Sequence, residues 1–180
     1  MTNKISDTIQ LCANVAIILS ALVGGYAFIQ HYIVKEQLPT QARPVANKRA
    51  PTPGMKVSLP DIDWAKNSRT MLFVLSSSCK YCKDSAPFYQ RLIRESKGIN
   101  DIQMVALLPQ ETKESKEYLA DMGLSIKDVR ETTPSAVGVS GFPALLLVDN
   151  TGTIKKAWVG KLTEDKETEV LHLMKCANCI

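Results

Sequence analysis

Thr70 to Ser76 (TMLFVLS) is a short apolar run that leads, across Ser77 and Ser78, into Cys79-Lys80-Tyr81-Cys82, and a helical pattern then continues to Ser96. A run of that length, bounded by polar residues, fits a strand buried on both faces. Between Tyr81 and Ser96, the residues Phe88, Leu92 and Ile93 share one helical face. The strand-to-helix step therefore fixes where the two cysteines stand: at the end of a strand and the start of a helix. The same alternation runs through the rest of the chain. Ile102 to Leu108 reads as a second strand, Glu114 to Met122 as a helix stopped by Gly123, and Ile126 to Glu131 as a further short strand. Ala144 to Asp149 (ALLLVD) reads as another strand, Asn150-Thr151-Gly152 as a turn, and Thr153 to Val159 as the returning hairpin partner. Thr163 is placed to cap a last helix, with Glu164 and Asp165 in its first turn. This order predicts an α/β fold whose sheet starts parallel and ends antiparallel.

Charge divides the chain unevenly. Lys and Arg number 22 and Asp and Glu 18, a net charge of +4. From Val57 onward the two signs balance, so the excess lies in the first third. A neutral domain offers no electrostatic footprint for a phosphate backbone, which argues against nucleic acid as a partner. A basic stretch beside an apolar one points to a membrane surface instead.

No charge occurs from Thr8 to Val34, and Val15 to Ile29 is densely apolar. About 20 such residues span a bilayer as a helix, so an anchor helix is expected from about residue 9 to 34, with Tyr26 and Tyr32 at one interface. A cleaved signal peptide is the rival reading, but the run is long for a signal core. Cys12 follows Leu11 rather than a small residue and reads as an apolar residue of that helix. Residues 35–53 form a basic, proline-rich linker, and five of the nine prolines fall at positions 39, 44, 51, 53 and 60. Such a segment is extended and semi-rigid. The folded domain is expected over 54–175, with a tail at 176–180.

The placement of Cys79 and Cys82 carries the chemistry. A helix N-terminus offers unpaired N–H groups and about half a positive charge, which favour a thiolate. Lys80 and Lys83 add positive charge. Two intervening residues in a helical turn bring the sulfurs within bonding reach. The outer cysteine can attack, and the inner one can resolve the mixed disulfide. Half of a zinc site, a structural disulfide and an inert coincidence are the competing readings. Zinc takes four ligands, typically two such pairs about 15–20 residues apart, whereas Cys176 and Cys179 lie at the far end of the chain, His31 in the apolar run, and His172 by itself.

Cys79-x-x-Cys82-Lys83 followed by Pro87 resembles the active-site helix of the thioredoxin superfamily. Gly141-Phe142-Pro143-Ala144, the strand after it, Asn150 to Gly152 and Val159-Gly160 resemble that fold's cis-proline loop and closing hairpin. Gly54 to Trp64 (GMKVSLPDIDW) is similar to the opening strand of redoxin domains, and Gln103 to Val139 is similar to the insertion of TlpA-like, membrane-anchored thiol–disulfide oxidoreductases. The resemblance implies a central mixed sheet flanked by helices. It implies Cys79 as nucleophile, Cys82 as resolving thiol, and a cis Pro143 that with Phe142 receives an extended protein substrate. It implies Lys80, Tyr81, Lys83 and Pro87 as modulators, and no cofactor or metal; Pro87 is expected to kink the helix, or else to stand at the start of a helix that begins late. Two positions depart from thioredoxin. Ser78 stands where thioredoxin has tryptophan, and Phe73 stands where it has a buried aspartate that assists proton transfer. The peroxiredoxin signature is absent, since Ser76 and Leu72 occupy its threonine and proline positions.

The terminal pair Cys176-Ala-Asn-Cys179 is a candidate second dithiol. The last helix of this fold runs away from the active-site end of the sheet, so no direct exchange with Cys79 and Cys82 is expected within one molecule. Flank charges (Lys4 before the apolar run; Lys35, Arg43, Lys48 and Arg49 after it) favour a cytoplasmic domain by the positive-inside rule. The family resemblance favours the extracytoplasmic side, and long domains translocate largely regardless of flank charge. The expected function is disulfide exchange with protein thiols, served by a separate redox partner. A non-catalytic or metal-binding, membrane-anchored interaction domain is the alternative.

Overall fold

The computed structural model describes residues 19–20, 50–59 and 62–176. The chain divides into two units, Met1–Val45 and Ala46–Ile180. Of the first, only Leu19 and Ser20 are described, both helical. The expected anchor helix, Cys12, most of the linker and Cys179 thus lie outside the described residues. Among the described residues no helix is long and apolar enough to cross a membrane.

The second unit is built on five strands: β1 (Arg69–Val74), β2 (Ile102–Leu108), β3 (Asp128–Glu131), β4 (Ala144–Asp149) and β5 (Ile154–Val159). Their order in the sheet is β3-β2-β1-β4-β5. β1 and β3 pair parallel to β2, while β4 pairs antiparallel to both β1 and β5. The parallel start and antiparallel end follow the expected order. All six residues of β1 are buried, as its unbroken apolar run requires of a central strand.

Alternate residues of the strands feed two cores. Met71, Phe73, Ala106, Leu108, Leu145 and Leu147 point to one face, which is covered by α1 (Lys80–Asp84), α2 (Ala86–Glu95), α3 (Thr112–Asp121) and α4 (Glu164–Lys175). Leu72, Val74, Val105, Leu107, Leu146 and Val148 point to the other. That face is covered by Val57 and Ile62 from the preceding segment and by Val137 from a 3₁₀ turn, Pro134–Val137. The helical cover is therefore concentrated on one side of the sheet.

Three local expectations need correction. The opening strand reduces to a single bridge, Lys56 with Thr153. Around it Gly54 N donates to Ile154 O, Ile154 N to Met55 O and Val57 N to Gly152 O, each at 2.8 Å. Pro51 and Pro53 have no N–H to extend that ladder. The helix expected over 81–96 is broken at Ser85 into α1 and α2, with Pro87 in the first turn of α2, where a missing N–H costs nothing. Thr163 stands at the N-cap of α4 but makes no side-chain cap bond, leaving the acidic first turn (Glu164, Asp165, Glu167) to favour the helix start. Gly123 (φ +66°) ends the α3 segment in the left-handed conformation, as its position suggests.

Arg69 pins the end of the sheet opposite the cysteine loop. Its guanidinium donates to Leu173 O at 2.8 Å, to Cys176 O at 2.9 Å and to Asp101 Oδ2 at 3.0 Å. Those carbonyls belong to the end of α4, which has no later turn to satisfy them. Cys176 is disulfide-bonded. Its carbonyl, held by Arg69, places it at the start of β1, on the order of 20 Å of strand away from the end that leads to Cys79.

Candidate active site

Cys79 is the N-cap of α1, with extended backbone (φ −91°, ψ 110°). In that conformation its side chain turns back over the first helical turn, and Cys82 N donates to Cys79 Sγ at 3.2 Å. Its backbone N–H donates to Ser76 O at 3.1 Å, closing the loop that leaves β1. Both Cys79 and Cys82 are free thiols. Cys79 is half-buried and Cys82 is wholly buried. The two side chains hydrogen-bond each other. Burial first, and then that bond to Cys79, push the Cys82 thiol above its ordinary range. The Ser76 backbone N–H opposes this by bonding the Cys82 sulfur. One sulfur is thus reachable and bonded by an amide, while the other holds its proton in the core.

The loop before Cys79 is tied across to the loop that starts α3. Ser76 Oγ and Ser78 Oγ lie 3.0 Å apart, Gln110 Nε2 donates to Ser76 Oγ at 3.2 Å, and Ser77 Oγ donates to Glu114 Oε1 at 3.1 Å. Ser115 Oγ fixes the Gln110 carbonyl at 3.1 Å. In the sequence Ser76 and Ser78 stood out only as departures from family patterns, and Ser77, Ser115 and Gln110 not at all, because isolated hydroxyl and amide residues carry no spacing signal.

Lys80 and Lys83 are exposed on α1, and Tyr81 between the cysteines is 55% exposed. Pro87 is exposed at the start of α2. Phe142 is half-buried, Pro143 is buried, and the peptide bond between them is cis. Val74, the last residue of β1, pairs with Ala144, so Phe142 and Pro143 flank the same end of the sheet as the cysteine loop. Gly160 N donates to Pro143 O at 2.7 Å, holding that loop from the β5 side. Cys176 lies at the opposite end and belongs to no part of this site. Among the described residues no group of three or more His, Cys, Asp or Glu side chains could hold a metal ion.

Behind the cysteines the core is aromatic. Phe73 is fully buried and meets Tyr89 edge-on, with ring centroids 5.6 Å apart at 87°. Tyr89 is hydrogen-bonded to Ser85, the residue at the helix break. Tyr118, from α3, is buried in the same core, and its hydroxyl has no hydrogen-bond partner. Burial raises both phenols above their ordinary range, and repulsion from Cys82 and Cys79 adds to it. Neither tyrosine stood out in the sequence, because a single tyrosine within a helical pattern carries no spacing signal.

No family model matches the chain, and no curated protein matches it either. Solved structures do. A protein of Chlorobium tepidum assigned as a thiol:disulfide interchange protein DsbE is 24% identical and superposes with a TM-score of 0.57, over 71% of this chain and 99% of its own. A thiol:disulfide interchange protein of the thioredoxin family from Chlorobium tepidum TLS is 15% identical, with a TM-score of 0.52, over 69% of this chain and 97% of its own. The fold is thioredoxin-like. A protein of Bacteroides thetaiotaomicron assigned as a protein disulfide isomerase shares it at 17% identity and a TM-score of 0.53, over 68% of this chain and 84% of its own. On this thioredoxin-like frame the cysteine pair stands at the end of the central strand and beside the cis-proline loop.

Proposed function

We propose that the domain is a thiol–disulfide oxidoreductase acting on protein thiols, with Cys79 as nucleophile and Cys82 as resolving thiol. The single observation that carries this reading is the asymmetry of the pair. Cys79 is reachable and accepts the Cys82 amide at 3.2 Å, while Cys82 is sealed and protonated. The resemblance to thiol:disulfide interchange proteins supports the same chemistry.

In the reducing direction the Cys79 thiolate attacks one sulfur of a client disulfide. That S–S bond breaks, a Cys79–client disulfide forms, and the other client sulfur leaves with the electron pair and takes up a proton. Cys82 then gives up its proton and attacks Cys79 Sγ. The mixed disulfide breaks, and the second client sulfur leaves with its electron pair and is protonated. Two electrons and two protons pass to the client, and Cys79–Cys82 is left as a disulfide. The same steps in reverse oxidise a client dithiol. Phe142 and Pro143, at the same end of the sheet, offer extended backbone to a client segment in the manner of strand addition.

The domain is tethered to a membrane through the uncharged run 8–34 and faces the extracytoplasmic side, with the proline-rich linker as spacer. The length of that run supports the tether. Resistance to carbonate extraction, together with protease access from outside the cell, tests it.

Changing Cys82 to Ser tests the chemistry. The variant is expected to accumulate a covalent adduct with a disulfide-containing peptide, released by dithiothreitol, while Cys79→Ser accumulates none. Adducts on Cys79→Ser, or on neither variant, would contradict the assignment.

A further inference from the structure

The ladder between β1 and β2 carries the chain as far as Leu75, whose N–H donates to Leu107 O at 2.9 Å. Leu108 O turns the other way and accepts Thr132 N at 2.7 Å. By that alternation the next backbone donor toward β1 would be the N–H of Pro109, and proline has none. The ladder therefore stops where the cysteine loop begins, and a side chain takes its place. The Gln110 carboxamide carries the donor and the acceptor of a peptide group. Its Nε2 donates to Ser76 Oγ at 3.2 Å, and its Oε1 takes a longer, weaker contact from Ser77 N at 3.5 Å. Ser115, fully buried, donates its Oγ to the Gln110 carbonyl at 3.1 Å, so the carboxamide is presented from a fixed backbone.

Ser76 joins this clamp to the chemistry. It is 2% exposed, and its Oγ meets Ser78 Oγ at 3.0 Å as well as the Gln110 amide. Its carbonyl accepts the Cys79 N–H at 3.1 Å. Cys79 in turn receives the Cys82 amide on its sulfur at 3.2 Å. A shift of Ser76 carries Cys79 with it, and a hydrogen bond weakens steeply as its geometry is lost. We infer that Gln110 is a positioning residue for the Cys79 nucleophile: through the Ser76 hydroxyl it holds the cysteine loop in the geometry of the reduced pair, and so shifts the exchange equilibrium toward the dithiol. The bond it protects is strongest when the accepting sulfur carries charge. The clamp therefore counts for more in the dithiol than in the disulfide.

This inference rests on the exchange reading above and can fail separately from it. The 180-residue chain is equilibrated in buffers of reduced and oxidised glutathione, and the state of Cys79 and Cys82 is read by differential alkylation and peptide mass. Gln110→Met keeps the length of the side chain and removes both of its contacts. The equilibrium constant for reduction is expected to fall about fivefold, the scale of one hydrogen bond. Ser76→Ala removes the other partner and should fall at least as far. Because Gln110 acts through that hydroxyl, adding Gln110→Met to Ser76→Ala should lower the constant no further. Urea unfolding closes the thermodynamic cycle: Gln110→Met should lose more stability in the reduced protein than in the oxidised one. An unchanged equilibrium constant in Gln110→Met, with or without a loss of stability, overturns the inference. A second fall of about fivefold in the double variant also overturns it. A parent protein with no reversible couple overturns the exchange reading instead.

Discussion

Cys79 and Cys82 differ by one helical turn and behave as different chemical groups. One is an N-cap whose sulfur accepts an amide, and the other is a core residue with a raised pKa. Their spacing and their place after a strand were legible in the sequence, because a two-residue gap at a helix start has few geometric outcomes. What lies behind them was not legible. Phe73 showed only that a carboxylate was absent, while the packing of Tyr89 and Tyr118 depends on which way α2 and α3 turn once they meet the sheet. Phe73 holds that arrangement through its edge-on contact with Tyr89. Phe73→Ala is expected to lower stability by about 3–5 kcal/mol, as deletion of a fully buried aromatic does. Urea unfolding checks this, and a loss below about 1 kcal/mol would mean the site collapses freely around the gap.

At the scale of elements, β1 links two ends with separate duties. Its last residues lead to the cysteine loop, and its first residue, Arg69, closes the end of α4 by bonding Leu173 O, Cys176 O and Asp101. The strands were readable from their apolar runs, and the hairpin from its turn. The break at Ser85 was not, since α1 and α2 form one continuous pattern in sequence and part only because the helix restarts ahead of Pro87. Nor was the loss of the opening strand, whose residues have the right composition but prolines at 51 and 53. Arg69→Met should cost about 1–3 kcal/mol, because it leaves the carbonyls at the end of α4 without a donor while partly exposed Asp101 rehydrates. Faster hydrogen exchange in the last turn of α4, with Cys79 alkylation unchanged, is the expected signature. Slower Cys79 alkylation would show that the two ends are coupled.

Over the whole molecule, the described unit joins a thioredoxin-like sheet to a helical layer on one side, with the reactive pair at one end and Cys176 at the other. The pole-to-pole separation was legible through the resemblance to the thioredoxin fold, whose last helix runs away from the active-site end of the sheet. The one-sided helical cover was not, because which core a helix joins depends on handedness and loop path. Burial also sets a pH response. Cys82, Tyr89 and Tyr118 are all raised above their ordinary range, chiefly by desolvation. Below about pH 9 both folded and unfolded chains keep these protons, and the three groups add no pH dependence. Above it the unfolded chain releases them first, so it binds fewer protons and stability falls as pH rises. Urea midpoints of the reduced protein should decline from about pH 9 upward, and a flat profile to pH 11 would contradict the burial of these groups.

The most direct measurement is the reduction potential of Cys79–Cys82, taken in glutathione buffers on the 180-residue chain with the other three cysteines changed to Ser. Amide and thiol hydrogen bonds to Cys79 favour the reduced pair. A reversible two-electron couple is therefore expected, at a potential above thioredoxin's roughly −270 mV. A reversible couple below that value would contradict the preference for the reduced pair, and the absence of any reversible couple would contradict disulfide exchange itself.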